Sequence, residues 1–186
     1  MKLKIGPVEV NVFQPSGWVY ETSAGLDVMG GLFRAISAGG GVGRLVFKQQ
    51  RAGLPNTGRK YSLEYAQVVV GVGTPWPIPV TASGSAEAFT SGSVGGLPVY
   101  RMPGSPDASG EGGPPTGFVG TFSMSTISGN AFAGGSAALI LMGAIEFLWQ
   151  PVAYKYFTIV CGASVSSAIG VGVTGARGYL GNIRER

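Results

Sequence analysis

Two long stretches of the chain contain no charged residue, and they limit its possible folds more than any other feature. One covers residues 112–145 and the other covers residues 156–176, with Lys155 and Arg177 on either side of the second. The second stretch is 21 residues long, and a helix that crosses a bilayer needs about 20 apolar residues. Soluble barrels rarely leave two such lengths without a charge. The chain is therefore expected to present an unusually large charge-free surface.

Small residues recur at every fourth position in three parts of the chain. The rows are Gly162, Ser166, Gly170, Thr174 and Gly178; Gly117, Thr121, Ser125 and Gly129; and Gly31, Ala35, Gly39 and Gly43. Such rows let helix backbones approach closely, and helices in lipid associate through them. These residues are therefore candidates for packing roles in a membrane.

The same residues also fit a β-strand, because a spacing of four is a multiple of two. In residues 159–174 the even positions are nearly all small, whereas the odd positions are mostly apolar and often β-branched. This alternation is typical of a strand with a small face and an apolar face. A helix here would lose about 1 kcal/mol of stability for each of its glycines. We predict a mainly β fold, a glycine-rich antiparallel barrel or sandwich with one or two short helices; the alternative is an α-helical glycine-zipper bundle.

Two further stretches bear on the helix content. An apolar pattern at helical spacing predicts a short amphipathic helix before the glycines at 39–41; its residues are Leu26, Met29, Phe33 and Ile36. Residues 135–149 form a continuous apolar run, which fits either a buried strand pair or one short helix. Residues 60–72 alternate in the manner of a strand.

The chain is expected to form a single domain over residues 1–186, since that length suits one compact unit. Residues 103–117 consist almost wholly of turn formers and predict a flexible loop. This loop separates a first half that carries most of the charge from a second half that is poor in charge.

The residue types available leave little room for catalysis. The chain has no histidine and one cysteine, which removes the commonest general base, the commonest metal ligand and any internal disulfide. The acidic residues are scattered, without a local pair that suggests hydrolysis. We expect no catalytic site, no metal site and no cofactor, and we expect Cys161 to be a buried, inert thiol.

The net charge is +4 at pH 7. The basic residues of the first half are spread over a loop-rich stretch without the clustered charge and interleaved aromatics of a nucleic-acid binder. They fit a solvated basic face. They also fit attraction to anionic lipid head groups, at about 1 kcal/mol per basic residue near the surface.

The first residues do not read as a secretory signal peptide. Lys2 and Lys4 are followed by no sustained apolar core, because Pro7, Glu9 and Asn11 interrupt it. We expect the chain to begin in the cytoplasm, and any export to use a machine that needs no such signal.

Small size, basic charge, rows of small residues and the lack of catalytic residues together resemble the small pore-forming effectors of bacterial type VI secretion. The likeness covers the rows at 31–43 and 162–178, and the second row as it continues through Ala133 and Ala137 to cover 117–137. It implies a carrier, the ring-shaped Hcp tube protein, and a membrane-bound immunity protein in the producing cell. It also implies a homo-oligomeric assembly in the inner membrane of a target cell, reached through the periplasm.

The resulting expectation is an antibacterial toxin that inserts in a bilayer, forms an ion-conducting pore and dissipates the membrane potential. In this hypothesis the rows of small residues have packing roles, with one face toward lipid and the small face packed or lining the pore. The alternative is a non-catalytic soluble β-barrel, either ligand-binding or a structural subunit of a particle.

Overall fold

A computed structural model describes residues 2–5, 8–11, 13–33, 36–50, 58–73, 97–109, 113–131, 133–144, 153–165 and 170–186. It contains ten β-strands and one short helical turn in these ranges. The strands are β1 (Lys2–Ile5), β2 (Val8–Asn11), β3 (Gln14–Phe33), β4 (Ile36–Gln49), β5 (Lys60–Gly73), β6 (Leu97–Arg101), β7 (Gly120–Ala131), β8 (Ala133–Ala144), β9 (Tyr156–Val165) and β10 (Gly170–Glu185). The helical turn is a 3₁₀ turn over Thr116–Phe118.

Eight strands close into an antiparallel barrel in the order β10-β5-β4-β3-β6-β9-β8-β7, and β1 pairs with β2 in a separate two-stranded sheet. The pairing follows from the sequence pattern. Along β5, Tyr61, Leu63 and Val69 are buried while Val68 and Val70 are exposed, which is the alternation expected of a sheet with one core face. The link between β3 and β9 is short: β6 pairs with β3 between Gln14 and Tyr20 and with β9 at Tyr156 and Phe157, all near one end of the barrel.

The two ends of the barrel differ in the elements that they carry. At one end, which we call the rim, β3 begins, β4 ends, β5 begins and β10 ends. At the opposite end β3 is followed by β4, β7 by β8 and β9 by β10 with gaps of one to four residues. We call this second end the hairpin end.

All eight barrel strands contribute to a single buried cluster inside the rim half. Phe118 lies at its centre, with ring centroids 4.9 Å from Phe47, 5.0 Å from Tyr156 and 6.1 Å from Trp18. The side chains of the cluster are Trp18, Tyr20, Leu45, Phe47, Tyr61, Leu63, Val99, Ala108, Phe118, Phe122, Ala138, Ile140, Met142, Tyr156, Val160 and Leu180. The interior of an eight-stranded barrel is just wide enough for side chains to fill it, and here they fill the rim half.

The predicted antiparallel barrel is confirmed, but the helices are not. The helix expected over 26–36 is wrong: β3 continues to Phe33 and pairs with β4 from Gly31↔Ser37 back to Trp18↔Gln49. The helical-bundle alternative is wrong for the same reason, since all three rows of small residues include strand residues. The run 135–149 is strand up to Ala144, and its remaining residues lie outside the described part.

The loop expected at 103–117 contains no strand in its described residues, and it is packed at both ends. Ala108 is buried against the core, and its carbonyl accepts a hydrogen bond from the Gly117 amide at 2.7 Å. The Tyr156 hydroxyl donates to the Pro106 carbonyl at 2.7 Å. These contacts hold the segment against the barrel at the rim, and we call residues 102–109 and 113–119 together the rim cap.

Candidate functional site

The outer surface of the barrel carries a belt of exposed apolar side chains. Each is between 38% and 64% exposed, whereas the cluster inside is almost fully buried. The belt consists of Val42, Val68, Val70, Ile127, Leu139, Ile159, Val173 and Tyr179. We call these eight residues the outer apolar belt.

The strand register makes the belt continuous around six neighbouring strands. Ile127 on β7 lies opposite Val173 on β10, and Leu139 on β8 lies opposite Ile159 on β9. Val42 lies opposite Ala66, which in turn lies opposite Tyr179. Single exposed apolar residues are normal on soluble proteins, but a continuous patch of this extent marks an interaction surface.

The outward positions between the belt residues are uncharged except at one place. Ser125 and Gly175 lie opposite each other, as do Ala137 and Cys161, and all four are exposed. The exception is Arg177, an exposed side chain between Val68 and Ser123. A long basic side chain in this position can lie along apolar surface and place its charge toward one end.

The first row of small residues is divided between two strands. Gly162 lies on β9 opposite Ser136, Gly170 lies on β10 opposite Asn130, and Ser166 falls outside the described residues. Thr174 is half-buried and Gly178 is buried, both on the inner face of β10. The predicted small face therefore points inward and the apolar face outward at the positions whose side chains are described.

In the row from Gly162 to Gly178, the fold requires glycine at position 178. A Cβ atom added there would meet the Ala66 carbonyl oxygen and would lie 2.7 Å from the Cα of Gln67. No real Cβ atom tolerates such contacts with backbone, so β10 and β5 can pair at this register only with glycine at position 178.

The second row does not form one surface. Gly117 belongs to the rim cap, where an added Cβ would lie 2.8 Å from the Tyr156 hydroxyl and 2.9 Å from the Ala108 Cα. Thr121 is buried and Ser125 is exposed on β7, and Gly129 lies opposite Gly135 and Val171. The row thus runs from the rim cap along one strand rather than along a helix.

The third row crosses the turn between β3 and β4. Gly31 lies opposite Ser37, and Ala35 falls outside the described residues. Gly39 and Gly43 are half-buried, and they lie opposite the inward-facing Val69 and Tyr65. The described members of this row on β4 therefore line the inner face of the barrel wall.

Cys161 corrects one expectation. The thiol was expected to be buried, but it is exposed on the outer face of β9. It follows Ile159 by two residues and therefore lies on the same face as the belt. The alternation had placed Cys161 among the apolar odd positions; the error was to assume that the apolar face is the core face.

The rim carries most of the described charge. Its basic side chains are Arg44, Lys48, Arg59, Lys60, Arg101, Lys155, Arg184 and Arg186, which we call the basic rim. The four described acidic side chains each form an ion pair there: Lys60–Glu21 at 2.8 Å, Arg59–Glu185 at 3.3 Å, Arg101–Asp107 at 2.7 Å and Arg184–Glu64 at 3.1 Å. The rim is therefore net positive in its described residues.

Tyr156 is the titratable group that the fold perturbs most clearly. Burial raises the pKa of its phenol to about 12; the positive charge of Arg101 opposes this rise, and the negative charge of Asp107 adds to it. Its hydroxyl donates to the rim cap. The effect is structural, since the ring packs against Phe118 in the core.

The described residues offer little for a cofactor or a metal ion. They contain no group of three or more possible metal ligands of the His, Cys, Asp and Glu types. A cleft of about 800 Å³ lies at the border of the belt and the basic rim, and its lining includes Val42, Arg44, Glu64 and Tyr179. Glu64 is occupied there by Arg184 and by the amide of Asn182 at 3.0 Å.

In the described ranges, none of the helical structure is both long and apolar enough to cross a membrane. Comparisons with protein-family models, curated proteins and solved structures find no match to this chain.

Proposed function

We propose that this protein inserts into a lipid bilayer as a β-barrel, with the outer apolar belt facing the acyl chains. The observation that supports this most directly concerns the half of the barrel next to the hairpin end, which we call the hairpin half. Its apolar side chains face outward, the reverse of the arrangement in a barrel with an apolar core. There the wall presents valine, isoleucine and leucine outward, and small or half-buried residues such as Gly39, Thr126 and Thr174 inward. Membrane barrels show the same alternation, with apolar residues toward lipid.

The height of the outer zone, which is free of charge apart from Arg177 on β10, fits this proposal. On β5 it begins after Glu64 and continues to the end of the strand at Gly73. That length is about 31 Å along the strand at ~3.4 Å per residue, or about 23 Å along the axis of a barrel tilted by roughly 40°. The apolar band of membrane barrels is about 25 Å tall.

The pairing of the belt strands also fits a bilayer, because β4, β5, β10, β7 and β8 each pair along their length with a strand on either side. Unpaired backbone N–H and C=O groups are costly in lipid, so only helices and closed barrels span it. The strands β4, β5, β7, β8, β9 and β10 have between 10 and 16 residues, and a tilted strand needs about 9–11 to cross.

The finer part of the proposal is that insertion lets ions cross and so dissipates a membrane potential, as a toxin of the type VI secretion class would do. Inward-facing small residues leave room in the hairpin half. The rim half is filled by the cluster around Phe118, so conduction requires these side chains to move or several copies to assemble. An Hcp carrier and a membrane immunity protein belong to this finer part.

A charged residue in the belt tests the insertion. Val70→Lys places an ammonium group near the middle of the β5 zone that the proposal puts among acyl chains, at a cost of about 2–4 kcal/mol near the bilayer midplane. We expect its partitioning into phosphatidylcholine vesicles to fall by about 30-fold or more. In the same vesicles, loss of a potassium diffusion potential should slow by a similar factor, as followed with a potential-sensitive dye.

Thr116→Lys provides the matched control, because Thr116 is exposed on the rim cap and outside the belt. It should partition like the unchanged protein, and both variants should keep the circular dichroism of the barrel in water. Equal partitioning of Val70→Lys and the unchanged protein would contradict insertion. It would favour a belt covered by protein, as in a particle subunit. Insertion without any loss of potential would contradict only the ion-conducting part.

A further inference from the structure

We infer that the basic rim binds the phosphate groups of anionic lipids on the side from which the barrel enters, so that insertion is oriented with the hairpin end first. This inference rests on the proposed function and adds to it a lipid class and a direction. It starts from the position of the rim relative to the outer apolar belt.

Charge begins where the belt ends. On β4, Arg44 follows Val42 by two residues and is therefore the next outward position. It lies opposite Glu64 on β5, which lies opposite Gly181 on β10, two residues beyond Tyr179. If the belt lies among acyl chains, this row lies at the level of the head groups. Tyr179 then occupies the boundary, where aromatic residues are enriched in membrane barrels.

The sign of the rim favours anionic lipid. Its eight basic side chains outnumber the four acidic side chains with which they pair. Lys48 and Lys60 lie directly opposite each other on neighbouring strands, an arrangement that is unfavourable without counter-charge, and Glu21 supplies part of that charge by pairing with Lys60 at 2.8 Å. A layer of lipid phosphates would balance the positive charge that the rim still has in excess.

The same charges argue for the direction of entry. Moving the basic rim across a bilayer would take many charges through the hydrocarbon core, each at several kcal/mol. Beyond Arg44 and Glu64, the described barrel strands carry two charged residues, Asp27 on β3 and Arg177 on β10, against eight basic and four acidic side chains at the rim. The hairpin end is therefore the end that crosses at lower cost.

The basic rim also resembles, in charge alone, a surface for nucleic acid. Its residues lie on or beside β4, β5, β6, β9 and β10 at one end of the barrel, next to exposed apolar side chains, whereas nucleic-acid surfaces combine a basic groove with stacking aromatics. A lipid surface matches both the charge and the adjoining belt. We therefore assign the rim to lipid phosphate.

The inference is tested by variants that remove either a positive or a negative charge from the rim. Each basic residue near an anionic membrane contributes enough to change partitioning about fivefold. Arg44→Gln and Lys48→Gln should each weaken partitioning into phosphatidylglycerol vesicles by about fivefold at low salt. Glu185→Gln, at an exposed ion pair of the same rim, should strengthen it by a similar factor. High salt should reduce all three effects.

Phosphatidylcholine vesicles separate the two proposals. There the three variants and the unchanged protein should partition alike, because no net surface charge is present. Equal binding of the unchanged protein to both lipids, with no effect of the variants on phosphatidylglycerol, would overturn the lipid assignment and leave insertion standing. Failure to bind either lipid would overturn insertion itself. If Arg44→Gln weakened binding to duplex DNA but not to vesicles, the rim would be a nucleic-acid surface.

The direction in which the barrel enters the bilayer can be measured on a double variant with Cys161→Ala and Thr116→Cys. The thiol introduced on the rim cap should react with a membrane-impermeant maleimide added outside sealed phosphatidylglycerol vesicles. Protection of that thiol until the vesicles are lysed would show that the rim crosses, and would contradict entry by the hairpin end.

Discussion

Glycine plays different roles at neighbouring positions of β10. Gly178 allows β10 to approach β5, since an added Cβ would meet the backbone of Ala66 and Gln67. At Gly175, three residues earlier, an added Cβ would lie 4.0 Å from the Val70 carbonyl oxygen, an ordinary contact. Gly178 points inward and Gly175 outward. The high glycine content thus combines sites where the barrel wall needs glycine with sites where it does not.

We therefore expect Gly178→Ala and Gly175→Ala to affect folding very differently. Gly178→Ala should lower the free energy of unfolding by about 1–3 kcal/mol, because the methyl group forces two paired strands apart. Gly175→Ala should be neutral or stabilising by up to about 1 kcal/mol through the unfolded chain. Urea unfolding followed by circular dichroism measures both. Similar losses in the two variants would show that the close approach of β10 and β5 is not what requires glycine.

The sequence shows where small residues recur, but it does not predict at which of these positions the fold requires a small residue. The row that contains Gly178 follows from spacing alone. The requirement at Gly178 depends on the register that places it opposite Gln67, which is a pairing across more than a hundred residues of chain. No local pattern contains that information. Cys161 shows the same limit, since alternation identifies its face but not whether that face is buried.

At the scale of elements, pairing overrides local periodicity. Leu26, Met29 and Phe33 have helical spacing, but residues 25–31 also include three glycines, which weaken a helix. Once β4 is available, β3 pairs with it over most of its 20 residues. The strand at 60–73 is predictable because Tyr61, Leu63 and Tyr65 alternate with more polar residues and a β-branched run, Val68 to Val70, follows them. The sequence therefore predicts strands correctly where residues alternate at a spacing of two, which fits only a strand. A spacing of four alone fits both a strand and a helix.

The rim cap is the element whose position no periodicity predicts. It is attached through Phe118 in the core, through Arg101–Asp107 and through the Tyr156 hydroxyl. Its sequence reads as a loop because turn formers dominate it. Its burial follows from two residues near its ends, Ala108 and Phe118, which complete a core that the strands alone do not fill.

The raised pKa of Tyr156 gives the rim cap a measurable dependence on pH. The folded protein holds this proton up to about pH 12, whereas an unfolded tyrosine releases it near pH 10. Between these values the folded state binds more protons than the unfolded state, so stability falls as pH rises. Tyr156→Phe should reduce that fall, as measured by urea unfolding at pH 9 and near pH 11. An unchanged alkaline loss in the variant would contradict the burial of this phenol.

At the scale of the whole molecule, the barrel has three parts with different environments. The rim half holds an aromatic core, the rim carries excess positive charge, and the wall of the hairpin half is apolar outside and small inside. Charge-free stretches in the sequence predicted an unusual surface, and the fold shows that this surface lies mainly outside. Contact of this outer surface with lipid is what distinguishes a membrane-inserted barrel from a soluble one.

The sole cysteine of the chain allows the most direct test. Cys161 lies on the outer face of β9, level with Ala137 and two residues from Ile159, and an environment-sensitive NBD label can be attached there. On binding to phosphatidylglycerol vesicles the emission should shift to the blue, and lipids with a nitroxide on the acyl chain should quench it. A label at Thr116→Cys in the Cys161→Ala background should stay in water. Emission from labelled Cys161 that remains typical of water on fully vesicle-bound protein would contradict the claim that the belt faces lipid.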